Sequence, residues 1–176
     1  MLIKHGDLTI RNAEEEDCEQ LAAWWNDGAV MAHAGFPNGL GTNPEAIKRL
    51  IASDSDETTR RLIIEYRQQS IGEMSYRNKG EGIAEIGIKI CNADYQEKGL
   101  GRVILSMLIH ELFQKGYQKI ILDTNLNNKR AQHVYEKLGF TKLRVNIDSW
   151  KDQLGRPQSS VDYELVPEDF VDFSAE

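Results

Sequence analysis

The sequence predicts an α/β or α+β domain built on one mixed sheet of about seven strands with about four helices. Three observations carry that prediction. Short apolar runs rich in β-branched residues recur along the chain, and four longer stretches carry apolar residues at helical spacing. Between residues 83 and 124 a strand, a glycine turn, a helix and a second strand follow in direct succession, the order that makes a parallel pair with a right-handed crossover.

Taken in order, Leu8–Arg11 alternates as a first strand. Asn12 is placed to cap the helix that follows, and Glu14, Glu15, Glu16 and Asp17 fill its first turn, where negative charge meets the helix dipole. Leu21, Trp24 and Trp25 form its apolar side, and Asn26-Asp27-Gly28 ends it. Thr42-Asn43-Pro44 opens a second helix, with Ala46, Ile47, Leu50 and Ile51 on one face. Arg61–Tyr66 and Ser70–Arg77 read as strands, and Asn78–Gly82 as the hairpin turn leading into the strand Ile83–Ile90. The helix Arg102–Lys115 carries Ile104, Leu105, Leu108, Ile109, Leu112 and Phe113, with Gly116 just past its end. Lys119–Thr124 is a strand, Asn128–Leu138 a helix ended by Gly139, and Phe140–Trp150 and Val161–Val166 are closing strands around a polar loop, Asp152–Ser160.

A chain of 176 residues with 40% hydrophobic content suits one domain with a sizeable core. That domain is expected over residues 1–166, with 167–176 as an acidic tail. A net charge of −7 argues against a nucleic-acid partner, which needs a basic footprint. Met1–Asp7 lacks the apolar stretch of a secretory leader, and no segment reaches the length of a membrane span. Cys18 and Cys91 show no paired spacing, so a reduced cytoplasmic setting is expected. His5, His33, His110 and His133 are scattered, and no metal site is expected.

The richest stretch is Ile86-Gly87-Ile88-Lys89-Ile90 followed by Gln96-Glu97-Lys98-Gly99-Leu100-Gly101-Arg102. Backbone N–H groups of a glycine turn that feeds a helix converge on an anion, and the helix dipole favours a phosphate there. Spacing excludes two common phosphate motifs. A dinucleotide fingerprint needs a third glycine at position 104, which is Ile104, and a P-loop needs a glycine where Gln96 stands. About thirty residues further on, one βαβ step, lies Asn128-Lys129-Arg130-Ala131-Gln132-His133-Val134-Tyr135-Glu136-Lys137-Leu138-Gly139-Phe140. Ala131, Tyr135 and Leu138 share one face of that helix, where a small residue admits a ligand beside a phenol.

Together, I-x-I, Q-x-x-G-x-G and N-x-x-A-x-x-x-Y-E-K-L-G-F resemble the GCN5-related N-acetyltransferases (GNAT), over nearly the whole chain. Trp25-Asn26-Asp27 and Trp150–Arg156 look most like the branch of ribosomal-protein N-terminal and spermidine acetyltransferases. The resemblance implies a mostly antiparallel sheet whose central parallel pair splays apart, with acetyl-CoA as donor. It places the pyrophosphate on the N–H groups of Glu97, Lys98, Gly99, Leu100, Gly101 and Arg102, after Gln96. It places the pantetheine arm along Ile88, Lys89 and Ile90, and near Asn128, Ala131 and Tyr135. Asn128 is equally placed to cap its helix.

Acetyl transfer needs a neutral amine to attack the thioester and a proton for the leaving thiolate. The resemblance gives the acid role to Tyr135; a tyrosine there also suits the core. If Ser75 pairs with Glu85 and Glu73 with Gly87, both glutamates lie on one face of adjacent strands, with Glu85 as base and Glu73 as a substrate contact. Trp24, Trp25 and Phe36 suit either a pocket wall or the core. The acceptor is a small-molecule amine or a protein N-terminal amine, and the two strand glutamates with the acidic charge favour a cationic one. The alternative is a non-catalytic acetyl-CoA sensor of the same fold. Family relatives often form homodimers, and no stretch here selects an interface.

Overall fold

The computed structural model describes residues 1–175. Eight strands form one sheet: β1 (Leu2–His5), β2 (Leu8–Asn12), β3 (Thr59–Tyr66), β4 (Gln69–Gly80), β5 (Ile83–Ile90), β6 (Lys119–Asn125), β7 (Thr141–Lys151) and β8 (Pro157–Leu165). Their order is β1-β2-β3-β4-β5-β6-β8-β7. Every neighbouring pair is antiparallel except β5–β6, whose parallel connection runs through α4 (Leu100–Gln114). The remaining helices are α1 (Cys18–Trp25), α2 (Gly28–Met31), α3 (Pro44–Ala52) and α5 (Lys129–Leu138).

Alternation along the strands sorts side chains to two faces. On one face, Leu62, Ile64, Met74, Tyr76, Ala84, Ile86, Ile120, Leu122 and Tyr163 pack under α4 and α5 in the main core. On the other, Ile63 packs against Ala13, Cys18, Leu21, Trp24 and Ile47 of the α1–α3 layer. That second layer covers the β3–β4 half of the sheet, so the opposite face of β5, β6 and β8 has less cover.

The structure differs from the sequence expectation in several places, five of them in the strands, caps and loops of the sheet. β1 is an additional strand, turned onto β2 through Gly6 in the left-handed region (φ 57°). Asn12 does not cap a helix; its Oδ1 takes the Met1 ammonium at 2.9 Å, and a 3₁₀ turn over Glu15–Asp17 precedes α1. The Asp17 carboxylate receives the Glu14 N–H at 2.7 Å and the Arg11 guanidinium at 2.8 Å. Part of the loop after α1 is helical, as α2 and a 3₁₀ turn over Ala32–Ala34. The polar loop near residue 155 shrinks to 152–156, because β8 already starts at Pro157.

The fifth difference is the β4–β5 register. Arg77 lies opposite Glu85, Ser75 opposite Gly87 and Glu73 opposite Lys89, two residues from the expected pairing. Asn78 and Gly80 belong to the ladder, and the turn contracts to Glu81-Gly82, both at positive φ (55° and 76°). Two such residues suit the tight hairpin turns that match strand twist. A shift of two preserves which face each side chain takes, but it moves Glu73 and Glu85 apart along the sheet.

The segment after β8 packs on the core. The Val171 N–H donates to Leu138 O and the Phe173 N–H to Ser106 Oγ, each at 2.9 Å, and Phe170 meets Phe113 edge-on. Glu176, the end of the expected acidic tail, lies outside the described residues.

Candidate active site

β5 and β6 pair only through Ile83↔Lys119, Ala84↔Ile120 and Glu85↔Ile121. Beyond that point β5 stays hydrogen-bonded to β4 as far as Gly72↔Ile90, while β6 stays with β8 as far as Asn125↔Ser160. The two strands therefore part, and among the described residues β5 from Ile86 to Ile90 keeps a main-chain edge with no strand partner. Such an edge can accept an extended ligand as an added strand. Ile88 and Ile90 turn toward the α4–α5 core, and Lys89 turns to the other face.

The glycine turn follows. Gln96 Nε2 donates to the Ile90 carbonyl at 2.7 Å and ties the turn to the end of β5. Glu97 (φ 57°) and Gly99 (φ 76°) are both left-handed, and α4 starts at Leu100, two residues earlier than its apolar spacing indicates. Among the described residues no backbone turn or capping bond occupies the N–H groups of Glu97 to Leu100. The first N–H groups of α4 are free for the general reason that a helix has no carbonyl to offer them. Gly101 lies beside the Ile90 side chain, where an added Cβ would make only ordinary contact. Arg102 stacks its guanidinium over the Phe173 ring, 5.0 Å from the centroid, and Lys98 is exposed.

Across the splay, Asn128 caps α5, its Oδ1 receiving the Ala131 N–H at 3.3 Å. The side-chain amide donors of Asn128 remain available to a ligand. Arg130, next in the same turn, reaches Glu97 at 3.4 Å and links α5 to the glycine turn. The apex between β6 and α5 is held by Gln132, whose Nε2 donates to Leu126 O at 2.8 Å, and by Asn125, whose Oδ1 receives the Asn127 N–H at 2.9 Å. Sequence reasoning did not single out these two; their only signal is a buried amide on an otherwise apolar face.

Tyr135 is 7% exposed, its ring 5.8 Å from those of Phe140 and Tyr163. Burial, then the nearby Asp123 carboxylate and the Tyr163 phenol, push its pKa well above that of a free tyrosine. The hydroxyl therefore stays protonated at neutral pH.

The two glutamates have separate environments. Glu73 is 8% exposed, and its Oε1 receives both Trp25 Nε1 and Lys89 Nζ at 3.4 Å. Glu85 sits where β5 and β6 part, 3.9 Å from Arg77, and lines a concavity of about 300 Å³ with Asp123, Arg144 and Asp162. Asp123 there is raised in pKa by desolvation, then by Glu85 and Asp162. Cys91, near Glu73, is pushed up to about 12, first by burial and then by that carboxylate. Of the three aromatic candidates, Trp24 is core, Trp25 reaches Glu73, and Phe36 is half-buried in the loop after α2.

That loop and the β7–β8 turn close over the less covered face. Gly35 lies against the Trp150 ring, and its carbonyl receives the Gln153 N–H at 2.8 Å. Gln153 Oε1 takes the Asn38 N–H and its Nε2 donates to Gly39 O, each at 2.9 Å. The base of the loop is pinned by Asn26, which exchanges two hydrogen bonds with the Thr42 backbone (2.8 and 2.9 Å). Among the described residues no His/Cys/Asp/Glu group could hold a metal ion, and no helix is long and apolar enough to cross a membrane.

Known proteins share this fold. The chain is 34% identical over 68 residues to a [ribosomal protein bS18]-alanine N-acetyltransferase of Escherichia coli K12, a match covering 39% of this chain and 46% of that one. It thus spans about half the length of the curated relatives it matches. Among solved structures it is similar to a spermidine N-acetyltransferase from Vibrio cholerae in complex with CoA and spermine, at TM-score 0.83 and 22% identity, over 93% of this chain and 98% of that one. It is also similar to RimL, a ribosomal L7/L12 α-N-protein acetyltransferase in complex with coenzyme A, at TM-score 0.83 and 15% identity, over 94% and 98% of the two chains. Those likenesses establish the fold. The acetyltransferase (GNAT) domain profile matches residues 7–141, which include β2 to β6, the glycine turn and all of α5. A splayed parallel pair, a free N–H turn on one side and a buried tyrosine on the other, inside a domain so matched, place this chain in the GNAT acetyltransferase family.

Proposed function

We propose that the chain is an acetyl-CoA-dependent N-acetyltransferase that moves an acetyl group to a primary amine by direct attack in a ternary complex. The observation that carries this reading is the splay itself, with the free β5 edge and the N–H turn at α4 on one side and, following β6 on the other, α5 with the buried Tyr135. The residues suit the donor. The N–H groups of Glu97 to Arg102 would take its pyrophosphate, with Lys98 and Arg102 adding positive charge and Gln96 bracing the turn. The edge from Ile88 through Lys89 to Ile90 would take the amide-bearing arm, with Asn128 and Ala131 opposite. Bound there, acetyl-CoA supplies a thioester carbon for the new C–N bond and a sulfur that leaves with the old bond's electron pair.

Tyr135, kept protonated by burial, holds the proton that the departing sulfur takes up. Glu85 stands at the point of divergence with one long ion pair, and it accepts the amine's proton through water. Glu73 lines the acceptor side. Burial keeps the thiols of Cys18 and Cys91 protonated, which supports direct attack over relay through a cysteine. The names of the relatives support an acceptor that is a small-molecule amine or a protein N-terminal amine. A cytoplasmic setting, a single domain whose expected boundary at residue 166 extends through the core-packed segment to Phe173, and a homodimer complete the reading.

The test is release of free thiol from acetyl-CoA over a panel of amines. Turnover by the unaltered protein, reduced about 10²-fold or more at saturating amine by Tyr135→Phe, is the expected result. Unchanged turnover in that variant would remove Tyr135 as the acid. Tight acetyl-CoA binding with no turnover of any amine would leave the sensor.

A further inference from the structure

Resting on the acetyltransferase reading, we infer that Lys89 is a specificity-determining residue that turns the acceptor site away from polyamines and toward acceptors with one amine among uncharged groups, such as a peptide N-terminus.

The cross-strand pairs on the face away from α4 and α5 are Glu73↔Lys89, Ser75↔Gly87 and Arg77↔Glu85. The middle pair has almost no bulk: a Cβ added at Gly87 would meet only Ser75 Oγ, at 3.7 Å. The outcome is a small gap in the sheet surface, beside the unpaired β5 edge, with a charged pair on each side. The α4–α5 face is filled by the main core, so an amine reaches the splay from this side, where the Ala32–Ala34 turn approaches β6.

Each glutamate by this gap has a cation of its own. Lys89 Nζ is 3.4 Å from Glu73 Oε1, and an Arg77 nitrogen is 3.9 Å from Glu85 Oε1. The pairs differ in burial. The Glu73 side chain is 10% exposed and Lys89 34%, against 36% for Glu85 and 57% for Arg77. A carboxylate as buried as Glu73 requires a positive partner, and Lys89 is the cation the structure pairs with it. Trp25 Nε1 also donates to Oε1, so that one oxygen carries both contacts while the charge of Glu73 is balanced by Lys89. What faces the gap is therefore a compensated carboxylate beside a half-buried ammonium. The ammonium repels the additional charges of a polyamine and favours the neutral form of a single attacking amine.

This reverses the inference from sequence that two strand glutamates select a cationic acceptor. It also predicts a gain of function. With Lys89 replaced by a neutral residue, Glu73 stays buried and unpaired, and a second ammonium of the substrate can take the vacated position.

The experiment compares kcat/KM for spermidine with kcat/KM for an alanine-initiated tripeptide with uncharged side chains. The unaltered protein is expected to prefer the tripeptide. Lys89→Met is expected to raise the spermidine-to-tripeptide ratio about tenfold, whatever happens to the absolute rates, and Lys89→Arg to leave it in place. If Lys89→Met melts early, Lys89→Gln reads the same ratio. Turnover of both substrates with a ratio that Lys89→Met and Lys89→Gln leave unchanged overturns the inference alone, as does an unaltered protein that prefers spermidine. No turnover of any amine by the unaltered protein overturns the acetyltransferase reading and this inference with it.

Discussion

The two sides of the splay are built in opposite ways. Most of the donor side is a contiguous run, β5, a tied turn and α4 within residues 83–114, faced by the start of α5. Its parts are held by local bonds such as Gln96 to Ile90, six residues apart. The acceptor side is assembled from segments remote in sequence. Gln153 holds Asn38 and Gly39 across 115 and 114 residues, Trp25 reaches Glu73 across 48, and Trp150 covers Gly35. A phosphate is the same anion for every relative, and a local turn of N–H groups suffices for it. An acceptor site must differ among relatives, and remote loops can change without disturbing the sheet.

Substitutions can separate the two sides. The largest effect is expected at Gly28, where an added Cβ runs into the Pro37 carbonyl. Gly28→Val forces the loop open, so we expect the acceptor KM to rise by about an order of magnitude or more and thermal stability to fall by about 1–3 kcal/mol, with acetyl-CoA affinity kept. Equal loss of acetyl-CoA binding, measured by calorimetry, would break the division. Gln153→Ala removes two side-chain hydrogen bonds to the same loop. Its cost is about 1–2 kcal/mol, read as a several-fold rise in acceptor KM with the acetyl-CoA KM unmoved.

The smallest effect sharpens the comparison, because there the donor side depends on the far end of the chain. Phe173 supports Arg102 from the far end of the chain. Phe173→Ala should cost about 0.5–1 kcal/mol of that support and raise the acetyl-CoA KM about two- to fivefold at low salt, with less effect at high salt. An unchanged KM across ionic strengths would mean that Arg102 contributes nothing to donor binding.

Legibility in the sequence follows the same line. The helix after the glycine turn, the strand Lys119–Thr124 and the helix ended by Gly139 all appear within about two residues of their expected bounds. The two helices each have a strong period and a glycine stop, Gly116 and Gly139, and the strand is a compact apolar run between them. β1 escaped notice because four residues containing Lys4 and His5 carry little pattern; it becomes a strand through its pairing with β2. The β4–β5 register escaped because Asn78 and Lys79 look like turn residues, although the ladder extends through them to a two-residue turn. Lys89 was legible only as part of a cofactor strand, since nothing in its neighbourhood indicates that Glu73 lies across from it.

The sequence by itself determined most of the secondary elements, the glycine turn, the capped helix bearing Tyr135 and, through their joint spacing, the family. These depend on neighbours within a few turns, where periodicity and capping act directly. Only the tertiary structure decided which carboxylate meets which cation, how deeply Tyr135 is buried, and which loops close the acceptor side. Those depend on strand register and on contacts across a hundred residues or more, where a shift of two positions leaves the hydrophobic pattern intact and changes every pair of charges.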